Sequence, residues 1–459
     1  MFRNRRAHET TPARETALAC LEAGIEAAVP ERVVPETVSL EGVETNDSGD
    51  SEGPPRLCVS DTTYDLTDIE RVLVLGGGKA SGAVTTALEP ILEPALETGV
   101  LDGIEGLVVA NAPESTGYVR VVVGDHPTPS ERNLEATAEL LELAEKATDR
   151  DLVLAPITGG GSALLTAPAA GLSLETLATT TDELLASGAS IDEVNAVRSR
   201  CSSIKGGGLA RAATPAEVVT LAISDVVGDD PSVIASGPTV TPPGTLESAL
   251  AICRRDGLDV PSAVIDHLEA TPDTATDMPV GWHCLATTRT AIDAAERVAT
   301  DRDYRTLVLS SRLEGEAAHV GRMHGTVAAS MALDGNPLEP PAVILSGGEV
   351  TVTLGETDGV GGPNQELALA GALEMADIDG MGSRAALASV DTDGIDGPTE
   401  ACGAIVDGTL LESETVKIAE RALESHDVTP FLDQRGSLLE TGPTGTNVND
   451  LRVLVVEER

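Results

Sequence analysis

Short apolar runs alternate with longer stretches of helical spacing along the first half of the chain. The runs lie at 71–75, 106–110, 119–123, 151–157 and 218–223. Amphipathic spacing over 16–29 and over 131–148 predicts helices before and between these runs. Continuous apolar runs are typical of strands that are buried on both faces. The rhythm therefore predicts a mostly parallel sheet that is covered by helices on both sides.

A second alternating series follows in the C-terminal half. It begins at 283–286 and continues at 306–309, 342–345, 350–354, 386–390 and 451–456. The proline-rich segment 238–243 and the polar segment 271–279 separate the two series. We therefore predict two α/β/α domains with mostly parallel sheets, covering residues 1–255 and 256–459. Residues 41–55 are acidic and rich in Gly, Ser and Pro, which predicts a flexible surface insertion in the first domain.

The charge balance narrows the range of partners. Asp and Glu outnumber Lys and Arg by 75 to 30, which gives a formal net charge of −45. Such a charge repels itself at physiological salt, so the simplest interpretation is a halophilic protein, built for molar salt where the Debye length is about 3 Å. The scarcity of lysine and aromatic residues agrees, and the composition resembles that of haloarchaeal cytoplasmic proteins; a locally acidic protein from an ordinary cell is the alternative. Nucleic acid and anionic membranes are not expected as partners, since binding them requires a basic face.

Cysteine usage and the N-terminal residues predict a cytoplasmic location. The six cysteines show no Cys-x-x-Cys spacing, which is typical of small buried hydrophobic residues in a reducing compartment. Residues 1–12 are charged and lack the apolar segment of a signal peptide. The chain also has no apolar run of the roughly 18 residues that a membrane span needs.

Two of the four lysines stand in glycine clusters. Lys79 follows Gly76–Gly78 at the end of a predicted strand, and Lys205 precedes Gly206–Gly208. An ammonium group beside exposed backbone N–H groups suits phosphate or carboxylate. Two further predicted strands end in glycines, at 159–161 before Ser162 and at 347–348. Tight packing of strand against helix is the alternative explanation for these glycines.

The Lys79 segment matches neither common nucleotide-binding motif. A Walker A loop needs glycine where Leu73 stands, and the Rossmann fingerprint needs glycine where Ser81 stands. Classical P-loop chemistry and dinucleotide binding therefore have weak support.

Several polar residues follow the other predicted strands. Asp225 closes one strand, where a carboxylate can accept a hydroxyl proton or hold Mg²⁺, although a turn aspartate is the simpler alternative. Asp391 and Asp393 follow another strand and suit either a magnesium nucleotide or a structural turn. Asn364 opens a predicted helix whose N-terminus suits phosphate oxygens; a plain capped helix is the alternative. His126 stands in a Gly-Asp-His-Pro segment and is either a substrate contact or a structural histidine.

Taken together, these segments resemble the MOFRL-type glycerate 2-kinases. Matching segments lie in consistent order at 17–34, 76–81, 126–127, 158–168, 195–209, 224–239, 346–349, 361–368, 389–403 and 446–450. The resemblance implies a two-domain α/β protein with its active site in the interdomain cleft. It also implies transfer of the γ-phosphoryl group of ATP to the 2-hydroxyl of D-glycerate, with Mg²⁺ or a similar divalent ion as cofactor.

The resemblance implies a role for each matching position. Lys79 would stabilise the transferred phosphoryl group or hold the substrate carboxylate, and Asp225 would orient or deprotonate the 2-hydroxyl. The other residues expected to contact substrate are His126, Ser162, Asn195 and Arg198. The residues expected to face the nucleotide are Gly76, Gly77, Gly78, Lys205, Gly347, Gly348, Asn364, Glu366 and Asp393. Lys205 would serve phosphate or hold its glycine loop, and Asp391 is the candidate metal ligand.

One position departs from the family pattern. Many members have arginine between the Gly-Gly pair and the Asn-Gln-Glu, where this chain has Pro363. Either another arginine such as Arg198 compensates, or the substrate differs. Two alternatives stay open: a hydroxypyruvate reductase that uses NAD(P)H, and a non-catalytic sensor that binds sugar acids or nucleotides. The sequence also leaves the oligomeric state open, with a homodimer as the candidate.

Overall fold

The computed structural model describes residues 1–3, 5–43, 53–242, 244–255, 257–271, 279–355, 358–376, 378 and 381–458. Most of the predicted insertion at 41–55 therefore lies outside the described residues. The chain divides into two compact units, one at 30–285 and the other formed by 1–29 together with 286–459.

The strands and helices alternate, as the apolar pattern predicts. The strands are β1 Val38–Glu41, β2 Arg56–Val59, β3 Thr62–Asp65, β4 Arg71–Gly77, β5 Gly103–Ala110, β6 Val119–Val123, β7 Asp151–Thr158, β8 Glu217–Ile223, β9 Val280–Ala286, β10 Arg305–Ser310, β11 Gly315–Glu316, β12 Ala342–Gly348, β13 Val350–Thr351, β14 Ala385–Asp391, β15 Gly403–Asp407, β16 Leu438–Leu439 and β17 Asp450–Val456. The α-helices are α1 Arg5–His8, α2 Pro12–Ala27, α3 Pro30–Thr37, α4 Ser81–Glu97, α5 Glu131–Ala144, α6 Gly161–Leu164, α7 Leu174–Ala186, α8 Ile191–Arg200, α9 Gly208–Ala212, α10 Leu246–Cys253, α11 Ser262–Ala270, α12 Thr288–Asp301, α13 Ala317–Asp334, α14 Pro363–Ala376, α15 Val416–Glu424 and α16 Val428–Asp433.

Unit 30–285 is built on a six-stranded sheet with the order β6-β5-β4-β7-β8-β9. Strands β6, β5, β4, β7 and β8 pair in parallel, as predicted. Strand β7 is buried along its whole length, which explains its unbroken apolar sequence. Because the strands are parallel, the carboxyl ends of β4, β7 and β8 lie along one edge of the sheet, where open α/β sheets bind their ligands.

Helices of this unit pack in apolar clusters, two of which are formed by described residues. One cluster joins the sheet to α5 and α9 through residues such as Leu75, Leu140 and Leu209. The other joins α7, α8, α10 and α11, with Leu184 and Val197 in its centre. Helix α7 therefore has one face that packs on helices and another that is available to the ligand edge.

The second unit differs from the prediction in strand direction. Its six-stranded sheet has the order β10-β12-β17-β14-β15-β16, and only β10 and β12 pair in parallel. The C-terminal strand β17 runs antiparallel to both β12 and β14, and β15 runs antiparallel to β14 and β16. Strands buried on both faces have the same apolar sequence in either direction, so the pattern did not reveal this arrangement.

The division of the chain also differs from the predicted boundary between 255 and 256. Strand β9, predicted to begin the second series, is the edge strand of the first sheet. Helix α2 belongs to the second unit, where Arg14 forms a buried ion pair of 2.9 Å with Asp407. Gly24 of this helix leaves no space for a side chain beside Leu451 and the carbonyl of Ala291. Among the described residues, no helix combines the length and the apolarity needed to cross a membrane.

Candidate active site

The turn after β7 brings the Lys79 segment against the sheet edge. The backbone N–H of Lys79 donates to the carbonyl of Gly159 at 2.8 Å, and that of Ala80 donates to Thr158 Oγ1 at 3.1 Å. Gly78 has φ +140°, and a Cβ there would lie 2.7 Å from the carbonyl carbon of Thr158. The glycine therefore permits the close approach that seats Lys79 at the carboxyl end of β7.

Three predicted site residues meet at the Gly159–Gly160 turn. A Cβ at Gly160 would lie 3.1 Å from both His126 Nε2 and Lys79 Cγ. A Cβ at Gly159 would lie 2.5 Å from the carboxyl carbon of Asp225. The structure thus brings an ammonium side chain, an imidazole and a carboxylate around one glycine turn, although they come from three different strand ends.

The loop that carries His126 is held by a residue that the sequence did not single out. Asn133, at the start of α5, is fully buried. Its amide nitrogen donates to the carbonyls of Asp125 and Ala163, both at 3.0 Å. Its amide oxygen accepts from the backbone N–H of Asp125 at 3.0 Å. Asn133 therefore ties the His126 loop to α6, although its only sequence signal is its place in a capping box.

A second cluster is centred on Ser162, in the short helix α6. Arg198 Nη2 donates to Ser162 Oγ at 3.0 Å, and the hydroxyl of Ser236 lies 2.7 Å from the same atom. Lys205 Nζ donates to the carbonyl of Ser162 at 2.5 Å and to that of Leu165 at 3.4 Å. The structure thus joins the predicted residues Ser162, Arg198 and Lys205.

The backbone around Ser236 is left-handed for three consecutive residues. Ala235, Ser236 and Gly237 have φ values of 51°, 62° and 61°. A non-glycine residue in this region is strained, and such strain is concentrated at functional sites. Here it places the Ser236 hydroxyl on Ser162, a contact that local sequence patterns do not encode.

Two neighbouring cations dominate the electrostatics of the Ser162 cluster. Burial and the nearby guanidinium of Arg198 hold the pKa of the Lys205 ammonium well below its usual range. Burial also lowers the pKa of Arg198. Neither group has a carboxylate partner within the part of the chain that the structure describes. Asn195 is buried on α8, three residues before Arg198, so the two positions share one side of that helix.

A cavity of about 340 Å³ opens beside this cluster. Ser162, Arg198 and Lys205 line one part of it. Its remaining walls come from the loop after His126, from α6 and from α7: Pro127, Thr128, Pro129, Ala163, Thr166, Leu174, Leu177, Ala178, Thr181 and Asp182. The cavity therefore adjoins the cations and the His126 loop within a single unit of the chain.

The predicted residues of the other unit form a separate, internal network. Asp396 accepts hydrogen bonds from the backbone N–H groups of Asn364 and Gln365, at 3.0 and 2.9 Å, and so caps α14. The Asn364 side chain donates to Asp396 at 3.2 Å and to Asp450 at 2.7 Å. These donors, predicted to hold phosphate oxygens, thus engage carboxylates of the chain itself. Pro363 is the first residue of this helix, where its missing N–H is tolerated.

Burial raises the pKa values of the carboxyl groups in this network. The pKa of Asp396 rises to about 7 because the group is desolvated, despite its hydrogen bonds. Burial and the carboxylates of Asp393 and Asp450 raise the pKa of Asp391 well above its usual range. The fully buried Arg452 donates to Asp450 and so offsets part of the negative charge. Sequence analysis missed Asp396, Asp450 and Arg452 in this role because they are distant along the chain.

The other residues of this unit that were predicted to face the nucleotide also contact neighbouring residues of the chain. Glu366 is buried and lies 2.9 Å from His426 Nδ1, and burial raises its pKa. Gly347 leaves no space for a side chain beside Thr288, and Gly348, at φ +118°, leaves none beside Leu313. Close packing therefore accounts for these two glycines.

The described residues do not provide a protein-only metal site. No group of three or more His, Cys, Asp or Glu side chains among them is arranged to hold a metal ion. Asp391 Oδ1 accepts the backbone N–H of Asp393 at 2.9 Å, which is the geometry of a turn. The donor set around Asp391 thus does not by itself fit Mg²⁺.

Comparisons with known proteins agree with this architecture. A domain of unknown function (DUF4147) matches residues 16–269, and the MOFRL family matches residues 342–450. The chain is 36% identical to the "Glycerate 2-kinase" of Pyrococcus horikoshii, over 97% of this chain and 98% of that protein. It is 41% identical to a "Putative hydroxypyruvate reductase" of Agrobacterium vitis, over 84% of this chain and 87% of that protein.

The fold matches a solved structure of the same kind. The crystal structure of "Glycerate kinase" from Thermotoga maritima superposes with a TM-score of 0.80 and 32% identity. The match covers 96% of this chain and 99% of that one. The chain therefore belongs to the MOFRL-type glycerate 2-kinase family.

Proposed function

We propose that the chain transfers the γ-phosphoryl group of ATP to the 2-hydroxyl of D-glycerate, giving 2-phosphoglycerate and ADP. The names of its Pyrococcus horikoshii and Thermotoga maritima relatives support this activity. The observation that carries it is the meeting of Lys79, His126 and Asp225 around the Gly159–Gly160 turn. Phosphoryl transfer depends mainly on positioning and on charge stabilisation, and these three groups supply both.

Asp225 and Lys79 have different roles in the proposed reaction. The Asp225 carboxylate orients the 2-hydroxyl and accepts its proton as the oxygen attacks the γ-phosphorus. A bond forms between the 2-oxygen and phosphorus, and the bond from phosphorus to the β,γ-bridging oxygen breaks, with its electron pair leaving on ADP. The Lys79 ammonium stabilises the negative charge on the transferred group.

The surrounding residues hold the reactants. His126, exposed beside Gly160, contacts the acid. Ser162, Asn195 and Arg198 contact substrate or phosphate, and the planar guanidinium of Arg198 suits a bidentate contact with either. Lys205 is buried and binds two carbonyls of the 162–165 turn, so it positions Ser162 and adds positive charge.

The nucleotide contacts expected from Gly347, Gly348, Asn364, Glu366 and Asp393 stay predictions. Their observed contacts are internal to the chain, and a bound nucleotide would have to displace or extend them. Mg²⁺ enters the proposal as the counter-ion of ATP, because it is commonly bound through substrate phosphates with one or two carboxylates.

We also propose that the chain is a cytoplasmic enzyme that acts on a small molecule. Of the six cysteines, which the sequence predicts to be buried, Cys20, Cys201, Cys253 and Cys402 are buried, whereas Cys58 and Cys284 are half-buried. The reducing compartment stays part of the proposal. The homodimer stays a prediction.

Turnover by lysine variants tests the proposal. ADP release would be coupled to a detectable reaction in about 2–3 M KCl, where screening is nearly complete, with ATP, Mg²⁺ and D-glycerate. We expect Lys79→Ala and Asp225→Asn to lower kcat by at least about a hundredfold. Lys146→Ala removes an exposed lysine of the same unit and serves as the matched control. Full activity in Lys79→Ala would refute the assigned role.

The reductase alternative has one observation in its favour, the name of the Agrobacterium vitis relative. It predicts oxidation of NAD(P)H by the chain when hydroxypyruvate is added, and no release of ADP with D-glycerate. A non-catalytic sensor would turn over neither pair of reactants.

A further inference from the structure

We propose that the cavity beside α7 binds the nucleoside of the phosphoryl donor, whose phosphates then extend toward Ser162, Arg198 and Lys205. This inference rests on the proposed kinase function and deepens it, because it assigns the donor a place in unit 30–285. The sequence places most of the expected nucleotide contacts in the other unit.

The cavity is larger than a three-carbon acid requires. Its volume of about 340 Å³ falls within the range of pockets that enclose much larger ligands. D-Glycerate could fill only a small part of this space. The cavity therefore has room for a larger molecule, one end of which lies beside Ser162, near the Gly159–Gly160 turn.

The walls fit a flat ring with a polar edge. Helix α7 turns one face toward the cavity, since its lining residues recur at helical spacing: Leu174, Leu177, Ala178, Thr181 and Asp182. Leu174, Leu177 and Ala178 supply aliphatic surface, and Pro127 and Pro129 add more from the His126 loop. At the end of this face, the exposed Asp182 carboxylate can accept a hydrogen bond from an exocyclic amine, as adenine carries.

The charged part of the cavity fits a polyphosphate. Arg198 and Lys205 are neighbouring cations, and neither has a carboxylate partner among the described residues. Two cations held this close repel each other and are stabilised by an anion that carries several charges. A triphosphate matches that requirement better than a monocarboxylate does. Ser162 is only two residues from Gly160, so phosphates that follow this path arrive beside Lys79.

A pocket-filling substitution tests the assignment. Ala178 is exposed at the wall of the cavity, so Ala178→Trp can fill the space without disturbing a core. We expect it to weaken the binding of a fluorescent ATP analogue by at least tenfold in the absence of D-glycerate. It should raise KM for ATP by a similar factor and leave KM for D-glycerate within about twofold. Asp182→Asn should change the preference between ATP and GTP, because the amide can donate a hydrogen bond to a guanine carbonyl.

The experiment needs a control for the added tryptophan, and two of its results would contradict one of the two proposals. Ala251→Trp adds the same side chain at an exposed site on α10, and unchanged melting temperatures would show that both variants fold. A rise in KM for D-glycerate, with nucleotide binding intact, would overturn the inference and assign the cavity to a longer hydroxy acid. A third outcome would separate the two proposals. If the wild-type protein binds the nucleotide but does not phosphorylate D-glycerate, and Ala178→Trp abolishes the binding, the proposed acceptor is refuted and the nucleoside site is retained.

Discussion

Gly159→Ala should disable the enzyme through Asp225 while leaving the fold intact. Gly159 has no positive φ, so its backbone accepts alanine without strain. The new Cβ would lie 2.5 Å from the Asp225 carboxyl carbon and closer still to its Oδ2, whereas ordinary contact begins at 3.4 Å. The carboxylate must therefore move by about 1 Å or more, and a misplacement of about 1 Å already costs roughly a hundredfold in rate. We expect kcat to fall by about that factor, with little change in melting temperature.

A double variant tests whether the fall in kcat caused by Gly159→Ala results from displacement of Asp225. If it does, Gly159→Ala combined with Asp225→Asn should be no slower than Asp225→Asn alone, because the two changes disable one group. Gly103→Ala is the matched control: a Cβ at this position would meet only Arg71 Cγ, at 3.9 Å. A Gly159→Ala enzyme that keeps kcat within about twofold of wild type would refute the geometry argued for the turn. Multiplicative losses in the double variant would show that Gly159 acts by another route.

Three further predictions concern stability. The net charge of −45 should make the melting temperature rise by several degrees between about 0.1 and 3 M KCl, and a flat profile would contradict the halophilic interpretation. Because the pKa of Asp396 is raised to about 7, the folded state holds this proton more tightly than the unfolded state. Stability should therefore fall as pH rises from about 5 to 7, and the Asp396 proton contributes up to about 1.4 kcal/mol per pH unit to this slope. Asp391 and Glu366, whose pKa values are also raised, keep part of the slope, so it should be shallower in Asp396→Asn than in wild type. Urea titrations at each pH, with the exposed Asp433→Asn as control, measure the difference, and equal slopes in wild type and Asp396→Asn would contradict it. Asn133→Ala should lower the unfolding free energy by about 2 kcal/mol or more, since it leaves the carbonyls of Asp125 and Ala163 without this donor; a loss below about 0.5 kcal/mol would show that the loop does not depend on it.

Local patterns predicted the elements of the fold well. The strand predicted at 119–123 is β6 with the same bounds, and the helix predicted at 131–148 is α5, which ends four residues earlier. The pairing and the direction of the strands were harder to predict. Whether β9 joins the first sheet or the second depends on which edge is open to it, and the direction of β17 depends on tertiary packing. Neither property has a local sequence signal.

The candidate site, like the fold, could be predicted only in part from the sequence. The grouping of Lys79 with Asp225 follows from the rule that parallel strands end at one edge, which the sequence alone supports. The cap that Asp396 provides to α14 joins residues about thirty positions apart, and the contact of Ser236 with Ser162 depends on three left-handed residues. Contacts of this kind arise only when the chain has folded. They also decide the environment of Asn364, which the sequence presented as a phosphate ligand.

The position of the phosphate on the product tests the central proposal most directly. Wild-type protein would be incubated with ATP, Mg²⁺ and D-glycerate in molar KCl, and the products would be followed by phosphorus NMR. The proposed function predicts 2-phosphoglycerate and ADP in equal amounts, from wild type and not from Lys79→Ala. A phosphate at the 3-position would contradict the assigned acceptor, and consumption of NAD(P)H with hydroxypyruvate but no phosphorylated product would contradict the kinase.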